Sequence, residues 1–440
     1  MSDRSSWHAL SLVEARARLA SGVLTARGLA DAWLARVAAT DARIEAWAHL
    51  DPARVRAAAD RLDATPPAQR GPLHGIGIGV KDIIATADLP TEMGSPVHAG
   101  HRPAADAACV ARVKAAGGYV FGKTVTTAYA FLDPGKTRNP WHPGHTPGGS
   151  SSGSAAAVAA GHVPGALGTQ TNGSVIRPAA YCGVVGFKPT TGAIDFRGVN
   201  VFSETFDVIG TFARSVADTA IIASVLAPTP AIARSPTLPR RAPRFAYLEH
   251  FPWTRTVDCD ADDTLDAAAS HLRAAGADVV PVALPDSLVL LADVHRTIML
   301  AEGAAAMGAL QDRERARLSA VLNAGLDDGR RVTADELAAA RAGRAAMIAT
   351  AGDWLSNYDA LIAPPAPSAA PEGLGATGDP SCCTFASLLG FPAITLPIGL
   401  SGNRMPLGMQ LVGRGGDDDA LIAVAAWCEA KLPAWNGRAA

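Results

Sequence analysis

Aromatic side chains are scarce, 5% of 440 residues, so a core must come from the aliphatic and small residues that fill out a hydrophobic content of 48%. Lysine is scarcer still. Six lysines stand among 39 basic residues, and arginine takes nearly every position where any cation would serve. A lysine that survives is therefore a mild pointer to chemistry arginine cannot do. No charge sign dominates: the net charge is -2, with a pI near 6.6, which excludes the basic footprint of a nucleic-acid or anionic-membrane binder. The six cysteines form no CxxC and no Cys/His cluster at zinc spacing, so they read as free thiols of a reducing compartment, with no metal. The opening stretch MSDRSSWHALSLVEARARLASG lacks the apolar core of a secretory signal, and no apolar run is long enough to cross a bilayer. These absences lead to the expectation of a soluble cytoplasmic protein with neither a membrane nor a nucleic-acid partner.

What is present alternates. Residues 8–64 read as helices, among them TARGLADAWLARVAATDARI, whose first Thr can cap it. GIGIGVKDII (75–84) switches to the glycine-bearing apolar run of a buried strand and ends on Lys81 and Asp82. DAACVARVKAAGG then reads as a helix and YVFGKT as a strand. Residues 131–154 form a long Pro/Gly/Ser loop running into an alanine-rich helix. GALGTQT and VVGFKPT read as strands, and SVADTAIIASVLA as a helix. Residues 228–243 form an exposed Pro- and Arg-rich connection. Beyond it, RFAYLEH, DVVPVAL, YDALIAPPAP, PAITLPIGL and PLGMQLVG read as strands, with helices over 262–275, 288–356, CTFASLLG and DALIAVAAWCEA. The pattern predicts an α/β fold, one α/β/α domain over 1–440 around a mixed twisted sheet. It divides into N-terminal helices (1–64), a core bearing the glycine-serine loops (70–225), the 228–243 connection, and a second part of the same sheet (244–440).

Two stretches concentrate chemistry, TPGGSSSGSAAAVAAG (146–161) and GTQTNGSVIRPAAYCG (168–183). Glycines let backbone N–H groups approach a ligand closely, and a glycine-serine loop entering a helix favours anions. Phosphate-loop spacing is absent, and no GxSxG elbow marks a hydrolase triad. No histidine falls in a pattern that marks a catalytic base; His74, beside a glycine, reads as structural. A serine nucleophile without histidine needs another base, and a buried neutral lysine can serve. Lys81, at the end of an apolar strand, fits that role. The competing reading is an ion pair with Asp82 or another carboxylate.

The stretches PLHGIGIGVKDII, TRNPWHPGHTPGGSSSGSAAAVAAG, GTQTNGSVIRPAAYCGVVGFKPT and GFPAITLPIGL with PLGMQLVGR resemble, in order and over nearly the whole chain, the amidase signature family. The spacing agrees: 69 residues from Lys81 to Ser150 and 24 from Ser150 to Ser174. The resemblance implies a C–N hydrolase with a Ser–cis-Ser–Lys triad. Ser174 is then the nucleophile, Ser150 the bridging serine and Lys81 the base, with a cis Gly149–Ser150 peptide. It implies an oxyanion hole from the backbone N–H groups of Thr171, Asn172, Gly173 and Ser174, and neither metal nor organic cofactor.

Three positions depart from the family's usual pattern. Asn172 stands for glycine and is expected to keep the turn because Asn tolerates a left-handed φ. Gln170 stands for Asp. Arg177 lies three residues after the nucleophile instead of two. Malonamidase-like small amidases are similar to this chain in QT-x-GSVIRPAAYCG, which implies a carboxylate-bearing substrate clamped by Arg177, with Gly149, Ser151 and Gln170 also near substrate. An ion pair, or packing beneath the loop, is the structural alternative for Arg177. Thr127, Tyr129 and Phe131, and Met299, Glu302 and Met307, lie where pocket walls can form, though core packing explains each. Lys123 and Lys188 are assigned structural roles. Carbamate or ester cleavage, an ammonia-transferring amidotransferase component, and an inactive binding protein remain alternatives. A short chain and the three departures argue against the amidotransferase. Many relatives are homodimers, so a homodimer is possible here too.

Overall fold

The computed structural model describes residues 4–227, 232–254 and 257–435. Eleven strands are described: β1 Trp47–His49, β2 Gly77–Lys81, β3 Tyr119–Thr124, β4 Gly165–Gln170, β5 Val185–Lys188, β6 Val208–Ala213, β7 Arg244–Tyr247, β8 Asp278–Pro281, β9 Ala360–Ala363, β10 Ala393–Leu400 and β11 Pro406–Val412. They form one mixed sheet in the order β1-β3-β2-β4-β6-β5-β10-β11-β9-β7-β8. β2 runs parallel to both β3 and β4, and β7 parallel to β8 and β9. The middle, from β4 through β6, β5, β10 and β11 to β9, is antiparallel. Residues 232–243 cross the surface without regular structure; 228–231, the start of the expected connection, lie outside the described residues.

Helices cover the sheet. Ala26–Ile44 is capped by Thr25, whose side chain accepts the Gly28 N–H, and it buries Leu29, Trp33, Leu34 and Val37 against the β2–β3 side. The central strands are buried along their whole length, which explains why they read as continuous apolar runs. β1, inside the stretch 8–64 read as helices, was not expected, and neither was β6. β6 is six residues long, and its Gly210 has no side chain because a Cβ would sit 2.7 Å from the Phe187 carbonyl. It also lies between β4 and β5, so the two expected strands of the core pair through it instead of with each other. One glycine-serine loop leaves the sheet at the end of β4 and the other leads into the helix Ser152–Ala159, and the end of β2 meets both regions, with Lys81 against Ser150 and Thr169.

Candidate active site

Lys81 is the last residue of β2 and is fully buried. Its Nζ donates to Ser150 Oγ at 2.6 Å and to Thr169 Oγ1 at 2.7 Å, with the Thr169 carbonyl at 3.4 Å. Burial holds its pKa well below the usual lysine range, and the negative charge of Asp207 opposes that shift. No carboxylate among the described residues pairs with it. Asp82 pairs instead with Lys123, 3.2 Å away, and Lys123 also donates to the Ile84 carbonyl and Thr91 Oγ1. The ion-pair reading of Asp82 therefore belongs to Lys123, and Lys81 is left as a buried amine among hydroxyls.

Ser150 comes from the loop ahead of the helix Ser152–Ala159. The Gly149–Ser150 peptide is cis. Gly148 has φ +79°, and a Cβ there would lie 2.8 Å from Pro178 Cα, so the loop is pressed directly onto the helix that follows Ser174. The Ser150 carbonyl accepts the Thr127 N–H. Ser151 turns inward: its Oγ donates to the Thr169 carbonyl (3.2 Å) and accepts the Thr169 N–H (3.3 Å). It anchors the loop to β4, and the substrate role expected of it is not its place in the structure. Ser154 does similar work, donating to the Leu167 carbonyl at 2.8 Å.

The second loop, 171–174, joins β4 to the helix Ile176–Cys182. Gln170 sits underneath, 1% exposed. Its Oε1 accepts the N–H groups of Val175 (2.7 Å) and Ile176 (3.0 Å), and its Nε2 donates to Ser387 Oγ. This amide is used up inside the protein, so Gln170 curls the loop and does not face substrate. Among the described residues, the N–H groups of Thr171, Asn172, Gly173 and Ser174 find no protein acceptor. Asn172 is not left-handed, contrary to expectation. The turn is held from outside instead: Asn172 Oδ1 accepts from Thr384 Oγ1 at 3.0 Å, and its carbonyl from Ser387 Oγ at 2.5 Å. Gly173 is needed for space, because a Cβ would lie 2.9 Å from that of Pro380. Among the described residues Ser174 Oγ has no protein partner, and no hydrogen bond joins it to Ser150.

Three supports carried no signal in the sequence. Thr169 binds the Lys81 amine. Asp207, just ahead of β6, accepts from Thr171 Oγ1 at 2.5 Å and from the N–H groups of Phe202 and Ser203; burial pushes its pKa up to about 6. His295, stacked on Phe206 with ring centroids 4.4 Å apart, has Nε2 3.2 Å from the Thr171 carbonyl. Burial lowers its pKa to about 4, so it is neutral at pH 7 and donates to that carbonyl. All three depend on long-range packing that local pattern does not encode.

Arg177 is buried, and most of its donors are occupied. Nη1 donates to the Gly378 carbonyl (2.9 Å), and Nη2 to the Gly149 carbonyl (2.8 Å) and Thr377 Oγ1 (3.1 Å). Nε is enclosed without a partner. An outward fork for a substrate carboxylate is not available in this arrangement. Of the three roles the sequence suggested, packing beneath the loop describes these contacts, and neither an ion pair nor a clamp does. Arg177 ties the Gly149–Ser150 peptide to the helix behind Ser174 and places a positive charge there, with no carboxylate bonded to it among the described residues.

A cavity of about 370 Å³ opens over Ser174. Its floor is Thr171–Ser174 and Arg177; its walls include Phe131, Phe202, Trp253, Met299 and Leu300, with Arg296 and Asp379 charged among the lining residues. Phe131 thus forms pocket wall where core packing was the simpler expectation; it stacks on Phe202, centroids 5.2 Å apart. Met299 also faces the cavity, whereas Tyr129 and Met307 pack together beneath it. Glu302 is a strut, accepting from Ser203, Thr205 and Arg341. The His49–Asp82–Glu92 group is the one cluster of potential metal ligands among the described residues; the Lys123 ammonium beside Asp82 disfavours a cation there.

A family profile, Amidase, matches residues 29–422. A glutamyl-tRNA(Gln) amidotransferase subunit from Solidesulfovibrio magneticus is 33% identical over 94% of this chain and 96% of its own; its counterpart from Anaeromyxobacter dehalogenans is 32% identical over 96% of each. Among solved structures, an amidase superposes with a TM-score of 0.87 at 31% identity, over 96% of this chain and 100% of its own. The peptide amidase of Stenotrophomonas maltophilia gives 0.80 at 30% identity, over 96% of each. A 6-aminohexanoate cyclic dimer hydrolase in complex with substrate gives 0.84 at 28% identity, over 97% and 98%.

Proposed function

The chain belongs to the amidase signature family, and from that premise we propose that it hydrolyses a neutral amide with an apolar acyl group through an acyl-enzyme on Ser174. The family assignment makes it a C–N hydrolase; the residues and the substrate class are our reading. Neutral Lys81 takes a proton from Ser150 while Ser150 takes that of Ser174, whose oxygen attacks the amide carbonyl carbon. The N–H groups of residues 171–174, free of protein acceptors, receive the oxyanion. Collapse returns the relayed proton to the leaving amine, and water then releases the acid by the same route. Ser174 must turn toward Ser150 for this, and its hydroxyl has no competing partner among the described residues to hold it back. No metal or organic cofactor is needed for any step.

The observation that carries this reading is a buried lysine that no carboxylate among the described residues pairs with, 2.6 Å from Ser150. For the acyl group, the apolar wall of the cavity and the occupied donors of Arg177 favour a neutral aryl or alkyl amide over malonamate. Ammonia release by the purified chain from phenylacetamide and from malonamate tests both points. A kcat/KM preference for phenylacetamide supports the reading. A preference for malonamate that Arg177→Ala abolishes would restore the clamp.

A second reading has its own support. The curated relatives include an amidotransferase subunit that this chain covers over 96% of its length, so chain length does not argue against that role. A component of this kind would release ammonia efficiently only with its partners present. Turnover by the chain alone separates the two.

A further inference from the structure

The largest of the cavities described, about 610 Å³, is nowhere near Ser174. It lies between the helix Leu12–Ala20, the segment 67–74 and the connection ahead of β7, and it shares no lining residue with the Ser174 cavity. Arg16, Arg70, Arg234 and His74 line it together. Among the described residues no carboxylate pairs with any of the four, and no acidic residue lines the cavity. Among the described residues the Arg70 guanidinium donates only to the Thr65 carbonyl, at 3.1 Å. Arg16 is half-buried, its guanidinium makes no hydrogen bond among the described residues, and the charge of Arg234 lies close enough to oppose its own. His74 is 8% exposed, and its Nδ1 is enclosed without a partner. The nearest carboxylate to influence His74, Asp63, is already bonded to the N–H groups of Ala26 and Arg27.

The wall carrying Arg70 and His74 is rigid. Leu73 and Gly75 donate their N–H groups to the Ala116 and Gly117 carbonyls. Gly71 approaches Ala116 so closely that a Cβ would lie 2.3 Å from its carbonyl oxygen. Three guanidinium groups gathered around a hollow with no counter-charge among the described residues, one of them partly desolvated, are held at an electrostatic disadvantage unless an anion joins them. Guanidinium forks match phosphate oxygens in geometry as well as charge.

We propose that this cavity is a binding site for a small multiply charged phosphate compound, held by Arg16, Arg70 and Arg234 with His74 at its base. The proposal is independent of the chemistry assigned to Ser174. The site lies at the opposite end of β2 from Lys81, since His74 precedes that strand and Lys81 ends it.

Inorganic pyrophosphate is the probe. Calorimetric titration into the full chain at low salt should show saturable one-to-one binding that weakens steeply as salt is added. The Arg16→Ala/Arg70→Ala double variant should bind at least roughly tenfold more weakly while its melting temperature and amide hydrolysis stay near wild type. In a histidine-detected NMR titration, bound pyrophosphate should raise the pKa of His74, because a neighbouring anion favours imidazolium. The absence of saturable binding would overturn the proposal. So would binding that the double variant keeps unchanged, or a His74 titration that pyrophosphate does not move.

Discussion

At the residue scale, the site turns on one amine. Only neutral Lys81 can accept a proton, so kcat/KM should fall as pH is lowered through its depressed pKa and level off above it; a pH–rate profile checks this. The same shift acts on stability. The folded chain binds this proton less readily than the unfolded one, whose lysine keeps its ordinary pKa. Stability from this group therefore grows as pH rises from the folded pKa toward the ordinary lysine value. Lys81→Met should remove that pH dependence and lower turnover by roughly 10³-fold or more, with a melting temperature at neutral pH no lower than wild type. A large fall in melting temperature together with residual turnover would make Lys81 structural. Thr169→Val removes one of the two hydroxyls that hold the amine and should lower kcat by about tenfold with KM little changed. The roles proposed for Lys81, Ser150 and Ser174 come from the family resemblance, and of the three the structure joins Lys81 to Ser150 by a hydrogen bond. Thr169 was not legible in the sequence, because a threonine in a buried strand looks like any other until the strand beside it is known.

At the element scale, the two glycine-serine loops are held from behind. Gln170 accepts two N–H groups at the start of the helix Ile176–Cys182, much as a capping side chain does. Gln170→Ala should lose about 1–2 kcal/mol of stability and reduce kcat more than it raises KM, which denaturant unfolding and steady-state kinetics would show together. Unchanged kinetics would detach the shape of the 171–174 loop from catalysis. The strands flanking these loops were readable from apolar runs with glycines, and the helix Ala26–Ile44 from its periodicity and Thr25 cap. The backbone of Asn172 was read wrongly, because residue propensity spoke for a left-handed turn while Thr384 and Ser387, some two hundred residues away in sequence, hold another. For Arg177 the sequence left a clamp, an ion pair and packing beneath the loop open, because spacing placed it near Ser174 but could not show that the Gly149 and Gly378 carbonyls occupy it.

At the scale of the whole molecule, one sheet joins both halves of the chain, and the cavity over Ser174 draws on both. Phe131 and Phe202 come from the first half, Trp253, Met299 and Leu300 from the second. Pocket walls of this kind were the least legible part, since Phe131 and Met299 differ from core residues only in what the fold leaves beside them. Trp253→Ala removes a large apolar face and should raise KM for phenylacetamide by roughly tenfold, as loss of a buried aromatic contact does, while leaving a small amide such as acetamide nearly unaffected. Equal losses for both substrates would mean that the tryptophan shapes the loops and not the acyl site.

Everything else depends on Ser174 carrying the acyl group. Incubation of the purified chain with a fluorophosphonate, followed by intact mass and peptide mapping, is the sharpest test. A single adduct on Ser174 is expected, absent in Ser174→Ala and much slower to form in Lys81→Met. An adduct on Ser150, or an active chain that takes no label at Ser174, would overturn the mechanism.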